Sequence, residues 1–420
     1  MSECRAALDL VLAEYRKSLE IPDPSQIHAM LGTIAANMTK GEKPVWLVII
    51  GPPSSGKSDP LGYLKCLDKV KFASEITKGG LLSCASRNKK GPDGTGGFLK
   101  EMGDFGILVI SDMSSTMALG EDGLKGFLGL MREVYDGHVA RFGGQDRGAS
   151  NSWTGKMGFI AAATGDIDRH HASINTLGDR YLYFRMPEGD IKAKMERART
   201  RVDNKNGIES ALKALFSMIS AADSPELTDG NEKTLQTLAM FVAKTRTAVA
   251  RDPKDRSIQD ITVPEEPTRL YLTFRTLLKG MIRIGLTETE AMAVTSKIAL
   301  DSIPPTRLAI IKQVIAIQDL TVRHVETGPW VFATTAIHRA LEELVKYRVL
   351  DRVGENGVPA HYSQSPWLKE RVAGLPEGTF SDNLLCIWKE RIEDKPSSLS
   401  RESEKVEPAL DGLFDEVDGQ

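Results

Sequence analysis

An apolar run that stops at a glycine and opens into a loop of small residues constrains this chain more than any other feature. Trp46-Leu-Val-Ile-Ile50 leads directly into Gly51-Pro52-Pro53-Ser54-Ser55-Gly56-Lys57-Ser58. An unbroken apolar run bounded by turn formers predicts a buried strand. The loop fits Gly-x-x-x-x-Gly-Lys-[Ser/Thr], the phosphate loop, with a strand before it and a helical segment after it. Its glycines let backbone N–H groups curl around phosphate oxygens, and the next helix adds the positive end of its dipole. Lys57 is expected on the β- and γ-phosphates and the Ser58 hydroxyl on Mg²⁺. Pro60 falls in the first helical turn, where its missing N–H costs little. The expected ligand is a nucleoside triphosphate, ATP with Mg²⁺.

The rest of the chain supplies a sheet for that loop. Val45–Ile50, Ile107–Ser111 and Gly158–Ala163 read as buried strands separated by helical stretches, the pattern of a parallel α/β sheet. Residues 2–40 read as two helices broken at Ile21-Pro22-Asp23-Pro24, and from about Gly189 to Gln318 the pattern is helical. With 420 residues, 41% hydrophobic and 26% charged, the chain has material for two or three domains with sizeable cores. No apolar run approaches the roughly 18 residues of a membrane span, so no membrane association is expected. Cys4, Cys66, Cys84 and Cys386 show no CxxC spacing, which argues against zinc and disulfides and for a cytoplasmic setting. The net charge of −3 means that any nucleic-acid contact must come from local basic patches.

A phosphate loop does not by itself separate kinases, GTPases and motor ATPases. Phe105-Gly-Ile-Leu-Val-Ile-Ser-Asp112 is an apolar strand ending in a carboxylate, as a Walker B strand should. Phe159-Ile-Ala-Ala-Ala-Thr164 puts a polar side chain at a later strand end, and Leu177-Gly-Asp-Arg180 follows. This order resembles the AAA+ ATPases, most closely the minichromosome-maintenance-like helicase group, and ATPases of phages and mobile elements. The resemblance spans about Val45 to Leu300. It implies that Thr164 stands at sensor 1 and Arg180 at the arginine finger, which acts in the site of a neighbouring subunit. Arg269, in Glu266-Pro-Thr-Arg269-Leu, stands at sensor 2 on a lid helix. It therefore implies a homo-oligomeric ring, a hexamer, hydrolysing ATP between subunits. The chain departs from the family at Ser111-Asp112, where the family has Asp-Glu, so Asp112 could serve the Mg²⁺ shell, the attacking water or both. Thr164 replaces an asparagine and keeps only a hydroxyl.

Three stretches are candidates for DNA. Ser86 to Gly97 is a glycine-rich basic loop carrying Arg87, Lys89 and Lys90. Gly137 to Gly148, with Arg141 and Arg147, and the return through Lys156 resemble the pre-sensor 1 hairpin that enters the channel of such rings. Ala333 to Tyr347 has apolar residues at helical spacing, and Val349–Val353, a Gly354-Glu-Asn-Gly357 turn and Val358–Tyr362 read as a hairpin. Helix then hairpin resembles a winged helix-turn-helix, exposing His338, Arg339 and Lys346, with Arg352 and His361 near the wing. Glu342 and Glu343 on the same helix keep a protein-docking role open.

The expected organisation is N-terminal helices over 1–40, an AAA+ core over 41–187, a helical lid and linker helices over 188–300, a winged helix-turn-helix over 301–370 and an extension over 371–420. The Ser-, Glu- and Asp-rich sequence from about Asp394 predicts disorder. Within it Leu410-Asp-Gly-Leu413-Phe414 resembles a degenerate sliding-clamp peptide. The expected function is a DNA-acting ATPase, a helicase or replication protein. The alternatives are a loader of a protein client and a DNA-binding regulator that does not translocate.

Overall fold

Five strands of the chain lie side by side, and the central ones are apolar on both faces. In the computed structural model β1 (Trp46–Ile50) is buried at every residue, and so is β3 (Phe105–Ile110) after its first. The structure describes residues 2–380 apart from 22, 75, 83–96, 143–149, 172–173, 175–178, 188–189, 201, 221–223, 253, 261–262 and 355–359. The sheet also holds β2 (Val70–Ala73), β6 (Lys156–Ala163) and β7 (Tyr181–Arg185) in the order β2-β3-β6-β1-β7, every pairing parallel. The three strands read from sequence are present, β6 beginning two residues earlier than expected; β2 and β7 are additions to that reading. A two-stranded hairpin, β4 (His138–Phe142) with β5 (Ser150–Thr154), precedes β6.

Successive side chains of a strand point to opposite faces, and the two faces are covered by different helices. Leu47, Ile49, Ile107, Val109, Ile160, Leu182 and Phe184 join the larger core, with helices Ser2–Ser18, Ser25–Met38, Thr268–Arg283 and Glu288–Asp301. Trp46, Val48, Leu108, Ile110, Phe159 and Tyr181 join a second core beneath helix Glu121–Asp136. The second core is aromatic at its centre. The Trp46 ring meets Tyr135, Phe159 and Tyr181 at 5.1–5.6 Å, and its indole N–H donates to the Met157 carbonyl at 2.7 Å.

The N-terminal helices are part of the first layer. Helix Ser25–Met38 lies so close to helix Thr268–Arg283 that a methyl on Gly280 would run into the Gly32 carbonyl and the Ala36 backbone. At its end Asn37 takes up both backbone groups of Val45, each at 2.9 Å, which fixes the entry to β1. The helical stretch expected over 188–300 contains Ile191–Arg199, Lys205–Ser217, Asp229–Arg246, Thr268–Arg283 and Glu288–Asp301. Apart from the first, these helices join the same buried core as the sheet.

The C-terminal unit contains helices Pro305–Ala316, Val322–Glu326 and Thr334–Lys346, then β8 (Leu350–Val353) antiparallel to β9 (His361–Gln364), then helix Pro366–Ala373. Ile337, Ala340, Leu341 and Leu344 form the buried stripe of the long helix, at the spacing read from the sequence. The turn expected between the two strands lies largely outside the described residues, as do Arg87, Lys89, Lys90, Arg147 and the tail with Leu413 and Phe414.

Candidate functional site

All five strands run the same way, so their C-terminal ends share one edge, where open parallel sheets bind ligands. The loop Gly51–Ser58 leaves β1 there. Gly56 has φ +85° and Ser54 φ +60°, so the loop curls through the left-handed region twice, once at a residue that pays a steric cost for it. Lys57 is 8% exposed, and its Nζ donates to the Pro52 carbonyl at 3.1 Å, so its charge is folded into the loop. The Gln26 amide donates to the Lys57 carbonyl at 3.1 Å. Ser58 begins the short helix Asp59–Gly62, which continues as one tighter turn over Tyr63–Cys66. Pro60 is at the start of that helix, as expected.

A cavity of about 520 Å³ opens over the loop. Ser54 to Pro60 form its floor. One wall is the connection between the first two helices, with Leu19, Ile21, Asp23 and Gln26. The other is Met186, Pro187, Lys194 and Arg197. Neither wall is legible in the sequence beyond the break at Ile21–Pro24. The cavity is polar over the phosphate loop and apolar at Leu19, Ile21 and Met186, which suits a charged tail and a flat ring on one ligand.

The Walker B candidate ends beside it. β3 stops at Ile110, and the Met113 N–H donates to the Ala162 carbonyl at 2.9 Å. Asp112 is exposed, and its Oδ1 accepts from the backbone N–H and hydroxyl of Ser114 at 2.9 and 2.6 Å. Those bonds, and the nearby charge of Lys57, hold its carboxyl below the usual range, so it is ionised at neutral pH. Thr164 directly follows β6, the strand between β1 and β3. Its hydroxyl makes no capping bond to the turn Gly165–His170 that follows. Lys57, Ser58, Asp112 and Thr164 therefore come to one edge, and a nucleotide with a divalent ion fits the donors present: a loop cation, a hydroxyl and an ionised carboxylate.

The two arginines lie elsewhere. Arg180 immediately precedes Tyr181, which pairs with Trp46, whereas the loop follows Ile50, which pairs with Arg185. The length of the strand, about 16 Å, separates them. Arg180 stacks over Tyr135 at 5.3 Å and meets Asp136, not Asp179, at 3.3 Å; its side chain is 8% exposed. Burial lowers its pKa. Arg269 is on the same side, donating to the Asp179 carbonyl and to Glu265 Oε2, both at 2.9 Å. The resemblance gives Arg269 as the sensor 2 candidate on a lid helix; its bonds put it with Arg180, on the far edge.

Beneath this pair is a buried ionic core that the sequence did not reveal. Arg246 is fully buried and donates to the Asp179 carbonyl at 3.0 Å and to Glu265 Oε1 at 2.7 Å. The Asp179 carboxylate, 3.7 Å from Arg246, is also fully buried, and burial raises its pKa. Arg307 continues the chain of contacts. It donates to the carbonyls of Thr245 and Thr247, each at 2.7 Å, and to Glu343 at 2.8 Å. Arg251 takes Glu343 at 2.9 Å and Glu342 at 3.0 Å.

The candidate DNA residues divide similarly. His338, Arg339, Lys346 and Arg352 are exposed on the C-terminal unit. The acids of that helix turn toward Arg251 and Arg307. Arg141 lies on the β4–β5 hairpin and donates to the Leu82 carbonyl at 3.0 Å. Lys156 is half-buried where it begins β6, donates to the Thr39 carbonyl at 2.8 Å, and burial lowers its pKa to about 8.

No family model matches the chain, and no curated protein matches it. Two solved apo structures, both A form, of the NrS-1 C-terminal region align with it at 11% identity. One, of residues 305–718, covers 85% of this chain and 75% of its own at a TM-score of 0.25; the other covers 86% and 74% at 0.23. No helix among the described residues is long and apolar enough to cross a membrane.

Proposed function

We propose that this chain is an ATPase of the AAA+ type acting on DNA, and that it works as a head-to-tail oligomer. One observation carries the reading: the phosphate loop and the two arginines are at opposite edges of one parallel sheet. Within a subunit they cannot meet. Stacked head to tail, the arginines of one subunit face the loop of the next, a heterologous contact that can close into a ring.

In that site Lys57 leaves the Pro52 carbonyl for the β- and γ-phosphates, a stronger charge-assisted partner. Mg²⁺, held by Ser58 and Asp112, would supply positive charge to the phosphate oxygens. Asp112, kept ionised by Ser114, orients a water and takes its proton as the water oxygen bonds to the γ-phosphorus. The bond from that phosphorus to the bridging oxygen breaks, and ADP leaves with the electron pair. Thr164 fixes the same water from the adjacent strand end. Arg180 and Arg269 of the neighbour balance the charge on the transferring group.

DNA is assigned to the C-terminal unit and the β4–β5 hairpin. Two helices followed by an antiparallel pair of strands support a winged helix-turn-helix, whose outer face presents His338, Arg339 and Lys346. Glu343 is engaged with Arg251 and Arg307 and Glu342 with Arg251, so the acids of that helix are paired with cations of the same chain. The test is ATP turnover with and without single- and double-stranded DNA, for wild type and Lys57→Ala. Turnover that survives in Lys57→Ala, or is indifferent to both DNAs, refutes the reading.

A further inference from the structure

None of the side chains of helix Ile191–Arg199 is buried. Its first turn is fixed by Asp190, whose Oδ1 accepts from the N–H groups of Lys192 and Ala193 at 2.8 and 3.2 Å. Ala193, Lys194 and Arg197 are its half-buried residues, and their spacing puts them on one face. Lys194 and Arg197 of that face, with Ala198, line the cavity over the phosphate loop. Arg197 pairs with Glu20, on the opposite wall, at 3.6 Å. Lys194 Nζ donates to the Ser55 carbonyl, inside the loop itself, at 3.4 Å.

We propose that Lys194 is the second cation of the nucleotide site within its own subunit: on binding, its Nζ leaves the Ser55 carbonyl and takes a phosphate oxygen of the triphosphate. The inference rests on the reading of the cavity as a nucleotide site. Three observations carry it. A carbonyl at 3.4 Å is a long, weak partner for an ammonium, and a phosphate oxygen is a charged one. The helix that bears Lys194 has no buried side chain anchoring it, so a shift of an ångström or so costs little. Arg269 is bonded to the Asp179 carbonyl on the far edge of the sheet and leaves the cis position to another cation. Arg197, held on Glu20, ties the same helix to the facing wall and limits the movement to the Lys194 end.

The test is calorimetric titration of the full chain with ATP and Mg²⁺, using wild type, Lys57→Ala, Lys194→Ala and Lys194→Arg, with melting curves of each without nucleotide. Lys194→Ala is expected to weaken ATP binding roughly tenfold, the loss of one charge-assisted bond. Lys194→Arg should recover most of it, and the melting temperature without nucleotide should not move. If wild type binds no ATP, or Lys57→Ala binds as tightly as wild type, the nucleotide reading itself fails. If binding depends on Lys57 but Lys194→Ala binds like wild type, the inference alone is overturned. Equal losses in Lys194→Ala and Lys194→Arg, or a lowered melting temperature in both, would assign Lys194 to packing and also overturn it.

Discussion

Replacing Arg246 by methionine tests the ionic core directly. Arg246 is fully buried between Asp179, also buried, and Glu265, whose side chain is 18% exposed. Methionine fills much of the same volume without charge. It leaves Asp179 with its backbone bond from Tyr181 and a 3.5 Å contact from the Tyr183 hydroxyl, but no cation in contact. Removing one partner of a buried pair costs about 3–5 kcal/mol. The entropy of unfolding, about 2.1 cal/mol/K per residue, is roughly 0.9 kcal/mol/K over the chain, so the melting temperature should fall by about 3–6 °C. Scanning calorimetry at pH 7.5 gives the number. Asp179→Asn added to Arg246→Met should return part of the loss, because an amide tolerates burial better than an unpaired carboxylate. Turnover should fall with stability, since Glu265 and the Asp179 carbonyl also hold Arg269. A variant that melts with wild type refutes the argument that this pairing is structurally required. So does a double variant less stable than Arg246→Met.

Other outcomes follow from single sites. Gly280→Ala should destabilise by about 1–3 kcal/mol, the usual cost of overpacking, because the added methyl meets helix backbone that cannot rotate away; a urea midpoint equal to wild type would contradict the close approach. Burial holds the Lys156 pKa near 8, below its ordinary 10.5, so between those values the unfolded chain binds more protons and stability gains from rising pH. Wild type should therefore gain urea stability relative to Lys156→Met from about pH 8 to about pH 10, and parallel profiles would refute the shift. Arg180→Ala and Lys57→Ala should each be inactive alone. An equal mixture should recover about a quarter of wild-type turnover, one half times one half, if subunits exchange freely in a head-to-tail assembly. Full activity of Arg180→Ala alone would remove the shared site.

How much of this was legible depended on how local the cause was. β1, β3 and β6 are continuous apolar runs because both faces are covered, and such runs are plain in a sequence. β2 is a four-residue edge strand, mostly half-buried, and Val70-Lys-Phe-Ala73 carries no comparable run. The phosphate loop announces itself because glycine, lysine and serine must be neighbours to surround a phosphate. The cavity walls do not, since Leu19 and Met186 meet only after two distant connections pack over the loop. The position of Arg269 is hidden for a related reason: chain order says that a helix follows the sheet, but not at which edge it begins. Lys156 reads as an exposed basic residue at a turn, and only its bond to the Thr39 carbonyl shows otherwise. Glu342 and Glu343 share a helix with His338, Arg339 and Lys346, and their pairing with Arg251 and Arg307, distant in sequence, is not legible in the sequence.

The separation of Arg180 from the loop has a genetic corollary. In an assembly of the proposed kind, a subunit that loses Lys57 silences the site at its own loop. A subunit that loses Arg180 keeps a working loop and silences its neighbour's. The lesion is expressed one position away from the chain that carries it. An open row of such subunits has one loop at its end that no arginine reaches, so it always has one catalytic centre fewer than it has chains. Closing the row restores the missing centre without adding a chain. Turnover per subunit would then report whether the assembly is closed, and a factor that opens it would act as an inhibitor of a single site while touching none of the residues that perform the chemistry.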